Sequence, residues 1–82
     1  MSDRTRAHVY VTGHVQGVYF RATTREAARD RDLNGWVRNL DDGRVEAVFE
    51  GPDGAVEDMV VFCHEGSPAA EVEAVDVSYG EP

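Results

Sequence analysis

The stretch Ala7-His8-Val9-Tyr10-Val11-Thr12-Gly13-His14-Val15-Gln16-Gly17-Val18-Tyr19-Phe20-Arg21 changes its periodicity partway along. As far as Thr12, apolar and polar residues alternate. Ala7, Val9 and Val11 share one face and His8, Tyr10 and Thr12 the other, the pattern of a half-buried strand. Beyond it the spacing is helical, with Phe20, Thr24, Ala27 and Arg31 along one side of a helix expected over residues 21–32. Between the two lies a loop with two glycines. Glycine lets backbone bend tightly and approach a ligand closely. The amides of such a loop, together with the free N–H groups at the start of a helix, can converge on one anion. Arg21 adds a permanent planar cation at the rim.

The remaining elements read outward from this unit. Residues 36–40 form a second expected strand. Asp41-Asp42-Gly43 is a hairpin turn signal, because Asp-Gly supplies positive φ readily. Residues 44–50 return, with Val45, Ala47 and Phe49 on one face. Gly51-Pro52-Asp53-Gly54 breaks the strand and offers Asp53 as a helix cap. Val56, Met59, Val60 and Cys63 then fall at i, i+3, i+4 and i+7 of a helix reaching about residue 65, which Gly66-Ser67-Pro68 stops. The last expected strand, 71–79, changes apolar parity between Ala74 and Val75, which predicts a bulge. The order β-α-β-β-α-β, with right-handed crossovers, implies an α+β fold. It is a ferredoxin-like sandwich: a four-stranded antiparallel sheet with two helices on one face.

Composition bounds what such a domain does. Residues 1–82 are read as a single domain, too short to divide. The lone Cys63 allows no internal disulfide, and no apolar run suits a membrane span. The expectation is a cytoplasmic protein without membrane contact. Sixteen acids face eight basic residues, all arginine, for a formal charge of -8. Self-repulsion of that order is strong at low salt and largely screened at ~1 M. The acid-rich, lysine-free surface resembles those of proteins from salt-loving microbes. The same charge argues against a nucleic-acid partner, which needs a basic stripe. With no evident apolar patch, a monomer is expected.

The segment 13–21 resembles the signature of the acylphosphatase family. So does Gly35-Trp36-Val37-Arg38-Asn39-Leu40-Asp41-Asp42-Gly43-Arg44-Val45-Glu46, and the stretch from Gly51-Pro52 to Val72 is similar to the family's second half. The resemblance implies hydrolysis of the carboxyl–phosphate anhydride of acyl phosphates, without metal or cofactor. By motif position it makes Arg21 the phosphate-binding catalytic arginine and Asn39 the residue that orients the attacking water. His14, Val15, Gln16, Gly17, Val18, Tyr19 and Phe20, with Arg21, become the phosphate-binding loop. Neither motif supplies a base, so the proton is expected to pass to the substrate's phosphoryl oxygen or to bulk water. At the position where the family commonly has glycine to end the first helix, this chain has Asp32, which tolerates the left-handed conformation better than most residues.

Plainer readings stand beside these. Taken alone, Arg21 at a helix start is a solvated side chain and Asn39 before Leu-Asp-Asp-Gly a strand-end residue. Arg38 reads as a surface or ion-pair residue and Gln16 as a brace for the loop. Val15, Val18 and Phe20 read as core, and Tyr19 either lines the mouth or faces solvent. His8, His14 and His64 do not have metal-ligand spacing, and Cys63 reads as a buried small hydrophobe. A non-catalytic phosphate- or metabolite-binding module on the same fold is the competing reading.

Overall fold

The computed structural model describes residues 3–82; Met1 and Ser2, part of the expected domain, lie outside the described residues. The elements are β1 (Arg4–His14), α1 (Phe20–Asp30), β2 (Asn34–Asn39), β3 (Val45–Pro52), α2 (Asp53–Glu65) and β4 (Glu71–Gly80). They form one antiparallel sheet in the order β2-β3-β1-β4. The expected ferredoxin-like α+β fold is therefore present.

One core explains why both helices lie on the same side. The inward residues of β1 (Ala7, Val9, Val11) and β3 (Val45, Ala47, Phe49) join Phe20 and Ala27 of α1 and Val56, Met59, Val60 and Cys63 of α2 in a single buried cluster. Fully burying one such Val or Phe side chain is worth about 1.5–3 kcal/mol.

The opposite sheet face is also partly covered, which alternation had not predicted. Glu46 and Val48 of β3 are buried as well. Glu46 is roofed by His8, whose Nε2 lies 2.6 Å from its carboxylate, and by Arg38, which donates from Nε at 2.7 Å. Arg38, read as a surface or ion-pair residue, is both. Its guanidinium also sits 5.2 Å from the centroid of Trp36.

Local features differ from expectation in physically definite ways. β1 extends to both sides of 7–12, because its outer residues pair with the ends of β3 and β4. β2 begins at Asn34, ahead of the expected residue 36, and stops at Asn39. The bulge sits at Glu73. Thr12 faces Ala74 but Gly13 faces Val72, so Glu73 is the extra residue, one place before the expected switch. Gly13 is required there, since a Cβ would lie 2.2 Å from the Glu71 carbonyl oxygen. Asp53 does not cap α2. Pro52 holds the N-cap position and Asp53 is the first helical residue, with its N–H given to the Asp3 carbonyl. After α1, Asp32 is left-handed at φ 54, a conformation that Asp tolerates better than most residues.

Candidate active site

Between β1 and α1 the chain turns in a short loop whose geometry exposes main-chain donors. Gly17 and Tyr19 are left-handed, with φ of 74 and 63. Turns that include such residues form concave arrays of N–H groups. Tyr19 is the N-cap of α1, and no side chain caps this helix end. No acidic residue lies in its first turn, whereas α2 has Asp53 there. The first N–H groups of α1 thus lack intrahelical partners, and the positive end of the helix dipole has no acidic residue in the first turn to offset it.

That end opens into a cleft of about 370 Å³ lined by Val15, Gly17, Tyr19, Phe20, Arg21, Ala22 and Asn39. Tyr19 both lines the mouth and faces solvent, being 82% exposed. Phe20 and Val15 are core, as expected, at 1% exposure each. Asn39 reaches the cleft because β2 ends there and the hairpin turns back through Leu40–Arg44, closed by the Leu40 N–H on the Arg44 carbonyl at 2.8 Å. Arg44 also donates from its backbone N–H and Nε to Asp42, which holds that carboxyl below its ordinary range.

Two side chains clamp the loop to the rest of the fold. Gln16 Nε2 donates to the carbonyls of Leu40 at 2.7 Å and Arg44 at 2.9 Å, so it braces the loop against the hairpin that carries Asn39. Ser67 Oγ donates to the Val18 carbonyl at 2.6 Å. Ser67 is buried, and its role was missed: in the sequence it reads only as part of a helix stop. No local signal could reveal a partner 49 residues away. Gly66 beside it has no room for a Cβ, which would press on the Phe20 ring at 2.4 Å.

Of the expected loop residues, Val15, Gly17, Tyr19, Phe20 and Arg21 line the cleft together with Asn39. His14 does not; it is the exposed last residue of β1, paired with Glu71. Gln16 and Val18 lie behind the lining, where the two clamps attach. Burial pushes the Cys63 thiol up to about 12, which keeps it protonated and unreactive near neutral pH. Among the described residues, no three His, Cys, Asp or Glu side chains gather as a metal site.

The sheet order, the uncapped helix end and the arginine–asparagine cleft define a small α+β domain suited to gripping a tetrahedral oxyanion. A sequence model of the acylphosphatase family matches residues 7–82, and the chain belongs to that family. It is 72% identical over 82 residues to an acylphosphatase of Natronomonas pharaonis, covering all of this chain and 89% of that one. Over 78 residues it is 72% identical to an acylphosphatase of Haloarcula marismortui, covering 95% and 86%. The crystal structure of acylphosphatase from Bacillus subtilis superposes with a TM-score of 0.92 at 40% identity, covering 95% of this chain and 87% of that one.

Proposed function

We propose that this chain hydrolyses acyl phosphates, with Arg21, Asn39 and the main-chain amides of the loop and helix start that line the cleft as its machinery. The substrate's phosphoryl group enters the cleft and its oxygens take the loop and α1 N–H groups and the Arg21 guanidinium. Water attacks phosphorus, the P–O bond to the acyl group breaks, and the carboxylate leaves with the bonding pair. One proton of the water passes to a phosphoryl oxygen or to solvent. Carboxylate is a good leaving group, so positioning and charge stabilisation supply most of what the reaction needs. Donors fixed before reaction stabilise the charge that shifts onto those oxygens. The Asn39 carboxamide, with one acceptor and two donors, aims the water.

The observation that carries this reading is the shared cleft: Arg21 and Asn39 lie on different elements and line one hollow with the uncapped start of α1. A binding module without chemistry has less need of a water-orienting residue at that point. The test is release of phosphate from benzoyl phosphate in a chelator-containing buffer. Enzymatic turnover there supports the reading; a rate equal to the uncatalysed one rejects it.

The same reading takes the protein as a cytoplasmic monomer adapted to high salt. The -8 charge without lysine supports the salt adaptation, as do its halophilic relatives. The single free, buried Cys63 suits a reducing compartment. Melting and turnover measured from dilute buffer to ~1 M KCl test the first point, since screening is nearly complete at that concentration. Light scattering tests the monomer.

A further inference from the structure

Arg21 lines two hollows. Besides the cleft, it opens a groove of about 600 Å³ between α1 and β2, walled by Arg21, Arg25 and Arg29 and lined by the apolar Leu33, Val37 and Phe49. The three arginines recur every fourth residue, so they form one row along the helix. At 1.5 Å per residue the row spans about 12 Å, leading away from the cleft because α1 starts there. None of the three has a hydrogen-bond, ion-pair or ring partner among the described residues, unlike Arg31, Arg38 and Arg44. Like charges four residues apart weaken a helix. In a chain with sixteen acids, three of the eight cations still gather at one groove and leave those acids unused.

We propose that this groove is the acyl subsite, and that Arg25 and Arg29 make it selective for acyl phosphates whose acyl group ends in a second anionic group. The inference rests on the hydrolase reading above. With the phosphoryl group in the cleft, the acyl group departs past Arg21, the residue common to both hollows. Its carbon stem lies on Leu33, Val37 and Phe49, and its far anion meets Arg25 or Arg29. That anion relieves the repulsion within the row. The row in turn offsets, locally, the field of a protein that otherwise repels a multiply charged substrate. Arg25 and Arg29 touch the distal anion, not the reacting atoms, and determine specificity.

The test compares 4-carboxybenzoyl phosphate with 4-carbamoylbenzoyl phosphate, which differ in charge and hardly in shape, at one fixed salt concentration. Arg25→Gln, Arg29→Gln and the double variant are compared with the unaltered protein. Glutamine is a good helix former, and thermal melts check that each variant folds. The expected result is a higher kcat/KM for the carboxylated substrate. That advantage falls roughly three- to fivefold with each substitution, the range of partly exposed ion pairs. Turnover of the carbamoyl substrate stays unchanged. Equal kcat/KM for the two substrates, an advantage that survives the double variant, or an equal loss for both would overturn the subsite and leave the hydrolase reading standing. No turnover of either by the unaltered protein would overturn both.

Discussion

The Gln16 carboxamide donates to the main-chain oxygen of Leu40 across 2.7 Å, one residue beyond Asn39. With its second bond, to Arg44, it ties the loop between β1 and α1 to the end of the strand that presents the asparagine. Arg21 and Asn39 belong to different elements, and this side chain holds the loop that leads to Arg21 against the end of the strand that carries Asn39. Replacing Gln16 by alanine removes both bonds, while the Arg44 carbonyl keeps the Leu40 N–H and the Leu40 carbonyl keeps the Gly43 N–H; the loss is expected to cost about 1–2 kcal/mol of stability. Turnover falls about tenfold, because a slight misplacement of catalytic groups is costly. Denaturant melts and benzoyl phosphate kinetics read the two effects separately.

Arg21→Ala and Asn39→Ala are expected to behave oppositely to a core substitution. Both side chains are exposed at the rim of the cleft. Each variant should lose on the order of a hundredfold or more in kcat, as the removal of one preorganised group commonly does. Each melt should move by no more than about 2–4 °C, since exposed substitutions stay within about 0.5 kcal/mol. Parallel losses of turnover and melting temperature would assign both residues a structural role instead.

Ser67→Ala removes the donor to the Val18 carbonyl at the back of the loop. Losing this part-buried hydrogen bond is expected to cost about 1 kcal/mol. For a domain of this size each kcal/mol lowers the melting temperature by about 4–8 °C. Ser67→Thr retains the hydroxyl and should recover part of that loss if the extra methyl fits; calorimetry on the pair distinguishes the bond from the packing.

Glu46 sets an acid limb to stability. The His8 ring, then Arg38, hydrogen-bond its carboxylate and hold its pKa down at about 2, against 4.5 for a free glutamate. Between those values the unfolded chain binds more protons at this site than the folded one. The stabilisation is therefore complete above about 4.5 and is lost as pH falls towards 2. Other carboxylates titrate in the same window, so the measurement is a difference. Melting curves of the unaltered protein and Glu46→Gln should converge as pH drops from 5 to 2, and parallel curves would contradict the assignment.

Thr24 is fully buried in α1, and its hydroxyl has no hydrogen-bond partner. Valine has nearly the same shape without the hydroxyl to desolvate. Thr24→Val is expected to raise stability by about 1 kcal/mol, with turnover unchanged. A lower melting temperature would point to a partner for the hydroxyl, such as a buried water.

The sequence by itself determined the order of elements, the inward faces and the loop. Those are carried by neighbours a few residues apart: Val9 and Val11 alternate, Val56 and Met59 share a helical stripe, and Gly17 permits a left-handed turn. Even the Glu73 bulge left its trace in the parity of Val72 and Val75, displaced by one residue. Only the tertiary structure decided that Glu46 is buried beneath His8 and Arg38, that Ser67 holds Val18, and that Arg21, Arg25 and Arg29 line a groove floored by Phe49. Most of those contacts join segments remote along the chain, and Arg38 reaches Glu46 across a hairpin. Periodicity records which face of an element turns inward, but not which residue of another element it will meet there.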